Sequence, residues 1–174
     1  MPAGDGMGAA GGPRVGIVCG SRSDFPIMEK AVALLSELGV ASELRVMSAH
    51  RTPELATRYA ETAAQRGIEV LIAGAGGAAH LAGVLASKTL LPIIGVPIPT
   101  QVGGGLDSLL STVQMPRGVP VATVAIGGAE NAALLATQIM ALHDEGLRDR
   151  LAAWRRRMTE AILADESNAE PLPG

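Results

Sequence analysis

The sequence predicts a doubly wound α/β domain, a three-layer sandwich with a parallel five-stranded sheet between helices. Three observations predict it. Short continuous apolar runs alternate with helix-period segments along the chain, and the segments are closed by glycine or proline. The apolar residues are almost all aliphatic, with Phe25, Tyr59 and Trp154 the whole aromatic set among 174 residues. A core of small and branched side chains lets helices approach a sheet closely.

Val15–Cys19 is a continuous apolar run ending in Gly20, as a strand buried on both faces requires. From Pro26 to Leu38, Ile27, Ala31, Leu34, Leu35 and Leu38 recur at helical spacing until Gly39 stops the pattern. A second strand is expected over about 42–47, then a helix from Pro53 to Arg66 that Gly67 closes. Val70–Ala73 reads as a third buried strand, followed by Gly74-Ala75-Gly76-Gly77 and a helix through Lys88. Ile93–Val96 is the fourth strand, and a Pro/Gly loop from Pro97 to Gly105 leads to a short helix starting at Asp107. The fifth strand falls near Val121–Ile126, and a long helix begins around Ala129. Right-handed crossovers between such strands favour the order 2-1-3-4-5, one of the two common doubly wound arrangements and that of flavodoxin-like folds.

One domain is expected over residues 14–164, ending in a helical arm around Trp154–Met158. The Gly/Ala-rich residues 1–13 read as a disordered tail, and residues 165–174, acidic and proline-containing, as a flexible one. Neither a secretory signal nor a membrane span is expected, since no cationic start precedes a long apolar stretch. A net charge of −3 supplies no basic field for nucleic acid or an anionic membrane. The single cysteine, Cys19, rules out an internal disulfide and fits a cytoplasmic protein. The three histidines, His50, His80 and His143, lack a short ligand spacing, so no metal is expected. His143 is placed on the outer part of the last long helix. From Asn131 to His143 apolar residues surround most of that helix, which suits either burial against another subunit or a deep core position.

Three loops at the carboxyl ends of strands carry the chemistry. Gly20-Ser21-Arg22-Ser23-Asp24 follows the first strand and opens a helix, a setting that favours an anion, although it matches neither a dinucleotide fingerprint nor a P-loop. Asp24 suits an N-cap equally with a partner for ribose hydroxyls. In Ser48-Ala49-His50-Arg51-Thr52-Pro53, Thr52 and Pro53 read as N-cap and first helical residue, leaving His50 and Arg51 in the loop. Alone, such a pair suits a solvated turn. The third loop, Gly74-Ala75-Gly76-Gly77-Ala78-Ala79-His80, follows the third strand. With the first strand flanked by the second and third, all three loops emerge side by side at the switch point where ligands bind. Ser21, Asp24, Ser48, His50, Arg51 and His80 then share one crevice, in which histidine is the side chain best suited to moving a proton near neutral pH.

These three segments, with Ser111-Thr112-Val113-Gln114-Met115-Pro116-Arg117-Gly118, closely resemble the catalytic subunit of the N5-carboxyaminoimidazole ribonucleotide mutase family, the bacterial class I PurE branch. The resemblance spans about residues 14–158, and the Gly-Gly-Ala-Ala-His-Leu form is similar to the mutase branch rather than to the animal-type branch that uses carbon dioxide directly. Two features depart from the pattern. Ala82 stands where the family usually has proline, and Ile126–Asn131 is shorter than the common version.

The resemblance implies an isomerase of de novo purine (IMP) biosynthesis that moves a carboxylate from the exocyclic nitrogen of an aminoimidazole ribonucleotide to ring carbon C4. The implied route is decarboxylation in a closed pocket, retention of carbon dioxide and attack by C4. Proton demand over that cycle sums to zero, so one shuttling group suffices and no cofactor is expected. His50 is the expected shuttle. By the same resemblance Arg51 holds the phosphate, Asp24 the ribose hydroxyls, and Ser21 helps bind that end of the nucleotide. Ser48, the backbone of Gly76, Gly77 and Ala78, and Leu81 border the base and carbon dioxide end. His80 either lines the site or packs at its edge. Small aliphatic residues and the 97–105 loop are expected to keep the pocket dry. A homo-octamer is implied, as is functional coupling to an ATP-dependent synthetase that forms the carbamate. Two other readings remain: a carboxylase using carbon dioxide directly on the same scaffold, and a non-catalytic flavodoxin-like nucleotide-binding module.

Overall fold

A computed structural model of the chain describes residues 12–165 and 167. Its centre is set by alternation along three apolar strands. In β1 (Val15–Cys19), β3 (Val70–Ala75) and β4 (Ile93–Pro97), successive side chains point to opposite faces. Val15, Ile17, Cys19, Val70, Ile72, Ile94 and Val96 therefore join one core layer, and Val18, Leu71, Ala73 and Ile93 the other. The first layer is covered by α1 (Phe25–Glu37), α5 (Ala129–Met140) and α6 (Glu145–Leu163). The second is covered by α2 (Pro53–Ala63) and α3 (Leu81–Ala86). With β2 (Ser42–Val46) and β5 (Ala122–Thr123) at the edges, the sheet is parallel and runs β2-β1-β3-β4-β5, the flavodoxin-like order expected. A further helix, α4 (Leu106–Val113), lies between β4 and β5.

Small residues set the layer spacing. A Cβ on Gly74 would stand 2.5 Å from Met28 Sδ, so α1 rests on β3 at a distance that only glycine permits. The expected Gly39 and Gly67 helix stops both adopt left-handed φ, +70° and +85°.

Several boundaries differ from expectation, for local reasons. The second helix leaves α-geometry at Ala63 and finishes as a 3-10 turn over Ala64–Arg66. The third ends at Ala86 rather than Lys88, and α4 begins one residue before Asp107. The fifth strand shrinks to Ala122–Thr123; beyond it the Val124 N–H still donates to the Gly95 carbonyl at 3.0 Å, and Gly127, at φ +71°, turns the chain and donates its N–H to the Pro97 carbonyl at 2.8 Å. The apolar helix stops at Met140, so Leu142 and His143 are exposed in the turn beyond it. The arm starts at Glu145, well before Trp154, where the Asp144 carboxylate accepts the Leu147 N–H at 2.9 Å as an N-cap.

The tail expected over residues 1–13 lies outside the described residues except for Gly12 and Pro13, as does most of that expected over 165–174. No helix among the described residues is long and apolar enough to cross a membrane.

Candidate active site

The register of the sheet brings the three loops together. Cys19 at the end of β1 pairs with Val46 of β2 and with Gly74 of β3, so the segments that follow leave the sheet side by side. They enclose a cleft of about 400 Å³ lined by Ser21, Asp24, Ser48, His50, Arg51, Gly76, Ala78 and Leu81, all expected there. Gly20, Ser23, Ala49 and Ala75 also line it. Gly77 and His80 do not, and each has a different reason.

In the first loop Ser21 and Asp24 form a reciprocal capping box. The Ser21 N–H donates to Asp24 Oδ2 at 3.1 Å, and the Ser21 hydroxyl accepts from the Ser23 N–H at 3.3 Å. Asp24 stands at the N-cap position of α1 but makes no side-chain cap bond to that helix, because its carboxylate is turned back onto the loop. It is 8 % exposed and receives donors from the Ser21 backbone and the Ser23 hydroxyl, 3.2 Å away. Beneath it, Cys19 donates its S–H to the Ser21 carbonyl, and burial, reinforced by the Asp24 charge, pushes the thiol up to about 11. Cys19 is thus a protonated packing residue and no nucleophile near neutral pH.

The second loop is held by Ser48. Its hydroxyl accepts the N–H groups of His50 and Arg51, at 3.3 and 3.2 Å. Thr52 holds the N-cap position of α2, yet its hydroxyl does not cap the helix as expected. It accepts the Ser48 N–H at 2.9 Å and donates to the Ser48 carbonyl at 3.2 Å, closing the turn on itself. The outcome is a stiff turn that presents two side chains. Arg51 reaches across to donate to the Gly20 carbonyl at 2.7 Å, tying the second loop to the first and leaving its positive charge without a carboxylate partner among the described residues.

His50 projects toward the third loop. Its Nε2 lies 2.9 Å from His80 Nδ1, with the rings edge to face at a centroid distance of 5.0 Å. One nitrogen of the pair donates and the other accepts, so a proton can pass between the rings without movement of the backbone. His80 is exposed at the start of α3 and meets the cleft only through His50. Gly77 adopts φ +67° and faces away, its N–H bound to the Ser108 hydroxyl at 2.9 Å. Leu81 is 2 % exposed and forms an apolar wall, while Ala82 is buried as the second residue of α3.

The 97–105 loop does not close over the cleft. Ile98 and Thr100 instead back the glycine loop, 3.5 and 3.4 Å from where a Cβ on Gly76 would stand. Sequence reasoning quoted Ser111 only as the start of a motif, without its place behind that loop, and missed Ser108, Thr100 and Asp107, which bond there too. Small hydroxyl residues one turn apart, Ser108 and Ser111 in an otherwise leucine-rich helix, were the available signal. Among the described residues no group of three or more histidine, cysteine, aspartate or glutamate side chains could hold a metal ion.

Fold and site together define a doubly wound α/β protein with a polar cleft at the topological switch point, carrying an imidazole pair, a guanidinium and a carboxylate. The family model described as AIR carboxylase matches residues 14–161, and the chain belongs to that family. It is 54 % identical over 162 residues to N5-carboxyaminoimidazole ribonucleotide mutase of Mycobacterium tuberculosis H37Rv, covering 93 % of each chain. It is 54 % identical over 157 residues to the protein of the same name from Saccharolobus solfataricus, covering 90 % of this chain and 99 % of the relative. The crystal structure of Treponema denticola PurE superposes with a TM-score of 0.82 at 30 % identity, over 91 % of this chain and 99 % of that one.

Proposed function

We propose that this protein isomerises N5-carboxyaminoimidazole ribonucleotide to 4-carboxy-5-aminoimidazole ribonucleotide in purine biosynthesis, with His50 as the proton shuttle. The observation that carries this reading is the placement of His50: it shares one cleft with Ser21, Asp24, Ser48 and Arg51 and touches a second imidazole behind it. Relatives from bacteria and archaea, at 51 to 55 % identity, bear the mutase name and support the same reaction.

The chemistry is balanced by one proton. His50 as imidazolium gives its proton to the exocyclic nitrogen as the N–CO₂ bond breaks, leaving aminoimidazole ribonucleotide and carbon dioxide. C4 then attacks the carbon dioxide, forming the C–C bond. The neutral imidazole removes the C4 proton, the ring regains aromaticity, and His50 ends as it began. His80, hydrogen-bonded to His50, orients the ring and shares that proton. No cofactor enters this cycle.

Arg51 supplies the fork for the substrate phosphate beside the loop that opens α1, and the buried Asp24 carboxylate binds the ribose hydroxyls. Ser21 completes that end. Ser48, Gly76, Gly77, Ala78 and Leu81 form the base and carbon dioxide end, with Gly77 acting through the loop conformation that it sets. Because His50 is exposed in the single chain, shielding carbon dioxide from water favours cover by a further subunit, and the homo-octamer is the assembly that the family resemblance implies. A cytoplasmic location and receipt of the carbamate from an ATP-dependent synthetase complete the reading, with one folded domain over residues 14–164.

The description of the family model as AIR carboxylase favours a second reaction, direct carboxylation of aminoimidazole ribonucleotide. Rates measured on the carbamate, and on aminoimidazole ribonucleotide with bicarbonate, separate the two. Faster turnover of the carbamate, with its labelled carboxyl carbon retained in product, supports the mutase. Equal use of dissolved carbon dioxide, with the label lost, refutes it.

A further inference from the structure

The segment 111–118 supplies no residue to the cleft, yet it is bonded to the glycine loop from behind. Ser111 Oγ donates to the Gly77 carbonyl at 3.2 Å. One turn earlier on α4, the fully buried Ser108 hydroxyl accepts the Gly77 N–H at 2.9 Å and donates to the Ile98 carbonyl at 2.7 Å. Two hydroxyls of a single helix therefore reach both polar backbone groups of Gly77, and the carbonyl also accepts the Ala79 N–H at 2.8 Å. The helix is itself anchored: Asp107 Oδ1 accepts from the Thr100 hydroxyl at 2.6 Å and from the Ser108 N–H at 2.9 Å. Farther along the segment, Met115 Sδ lies 3.0 Å from where a Cβ on Gly83 would stand, so the same stretch braces α3.

A loop built on Gly76 and Gly77 has few side chains of its own to fix it, and glycine is the residue with the most backbone freedom to lose. Gly77 must also hold φ +67° for Gly76 and Ala78 to form walls of the cleft that contains His50. Carbon dioxide carries no net charge and accepts only weak hydrogen bonds, so the position of such walls matters for keeping it against C4. A misplacement of about 1 Å costs such a step up to 10²-fold.

The geometry points to Ser108 and Ser111 as positioning residues, whose hydroxyls clamp the two peptide groups of Gly77 and thereby hold Gly76 and Ala78 at a fixed reach from His50. The clamp rests on the mutase reading above, because it is the trapped carbon dioxide that demands it.

The test uses the full-length protein with Ser111→Ala, Ser111→Thr and Ser108→Ala, beside wild type. Ser111→Ala lowers kcat about tenfold with KM and Tm little changed, and Ser111→Thr, which keeps the hydroxyl, restores kcat. Ser108→Ala acts in the same direction and also lowers Tm, since it strands the Gly77 N–H and the Ile98 carbonyl. Backbone amide exchange at Ala79, whose N–H bonds the Gly77 carbonyl, quickens in both alanine variants, a readout independent of turnover. If Ser108→Ala does not fold, the Ser111 pair decides. Wild-type kcat and wild-type exchange in Ser111→Ala overturn the clamp, and so does equal loss in Ser111→Ala and Ser111→Thr with a parallel fall in Tm. Absence of mutase turnover in wild type is a different failure: it removes the reaction, while the exchange data still report whether the hydroxyls hold the loop.

Discussion

Two polar clusters sit at opposite ends of β1 and β2, and they treat their charges differently. Near the start of β2, Glu43 accepts from Tyr59 Oη at 2.9 Å and from Arg66 at 2.6 Å, and pairs with Arg45 at 2.8 Å. Arg66 also stacks over the Tyr59 ring, 4.6 Å from its centroid. Burial alone would raise the Glu43 carboxyl, but the bonds from Arg66, Arg45 and Tyr59 outweigh it and hold the group below the usual carboxylate range. Burial and the Glu43 bond push the Tyr59 phenol well up. At the far end, Arg51 bonds only a neutral backbone carbonyl, and Asp24 receives only neutral donors. The first cluster satisfies itself and builds structure. The second keeps a cation and an anion apart in one cleft, ready for a ligand that carries phosphate and hydroxyls. Mutually paired charge marks the scaffold, and uncommitted charge marks the site.

The largest effect that tests this contrast is on turnover. His50→Asn should lower kcat by roughly 10²–10⁴-fold while calorimetry shows product nucleotide still bound. Lost binding with chemistry preserved would instead make His50 a ligand-holding group. Next, Arg51→Ala should weaken nucleotide binding by about 10- to 100-fold, the worth of a charge-assisted bond of about 1.5–3 kcal/mol, with kcat little altered. Unchanged affinity would mean that Arg51 merely ties the loops through Gly20. In the scaffold cluster the effects fall on stability. Tyr59→Phe should cost about 1.5 kcal/mol and lower Tm by roughly 3–6 °C without touching kcat. Smallest is the pH term. With the Glu43 carboxyl depressed on folding, its contribution is present above the unfolded value of 4.5 and fades as pH falls through the lower folded one. Thermal melts from pH 6 down to about 3 should show a steeper acid loss in wild type than in Glu43→Gln.

The sheet was legible because Val15–Cys19, Val70–Ala73 and Ile93–Val96 are apolar on both alternating faces, and only a parallel sheet covered twice buries such runs. The place of the edge strand β5 was legible as well but its short extent was not, since the bond from Gly127 to the Pro97 carbonyl beyond it is announced by no local pattern. The polar half of the cleft was legible too: helix-opening loops after adjacent strands converge whatever their sequence, and the charged residues on them are conspicuous. What stayed hidden was the partnership behind those loops. That Ser108 faces Gly77 across 31 positions, or that Thr52 folds back onto Ser48, depends on tertiary placement. The His50–His80 contact lies between the two: both residues were read as site candidates, but their 2.9 Å approach needed the structure.

A crystal structure with the product carboxylate bound decides whether His50 moves the proton. A His50 ring nitrogen should then lie about 3 Å from C4 of the imidazole, with the phosphate on Arg51. A product seated in the same cleft with His50 turned away and another titratable group against C4 would contradict it.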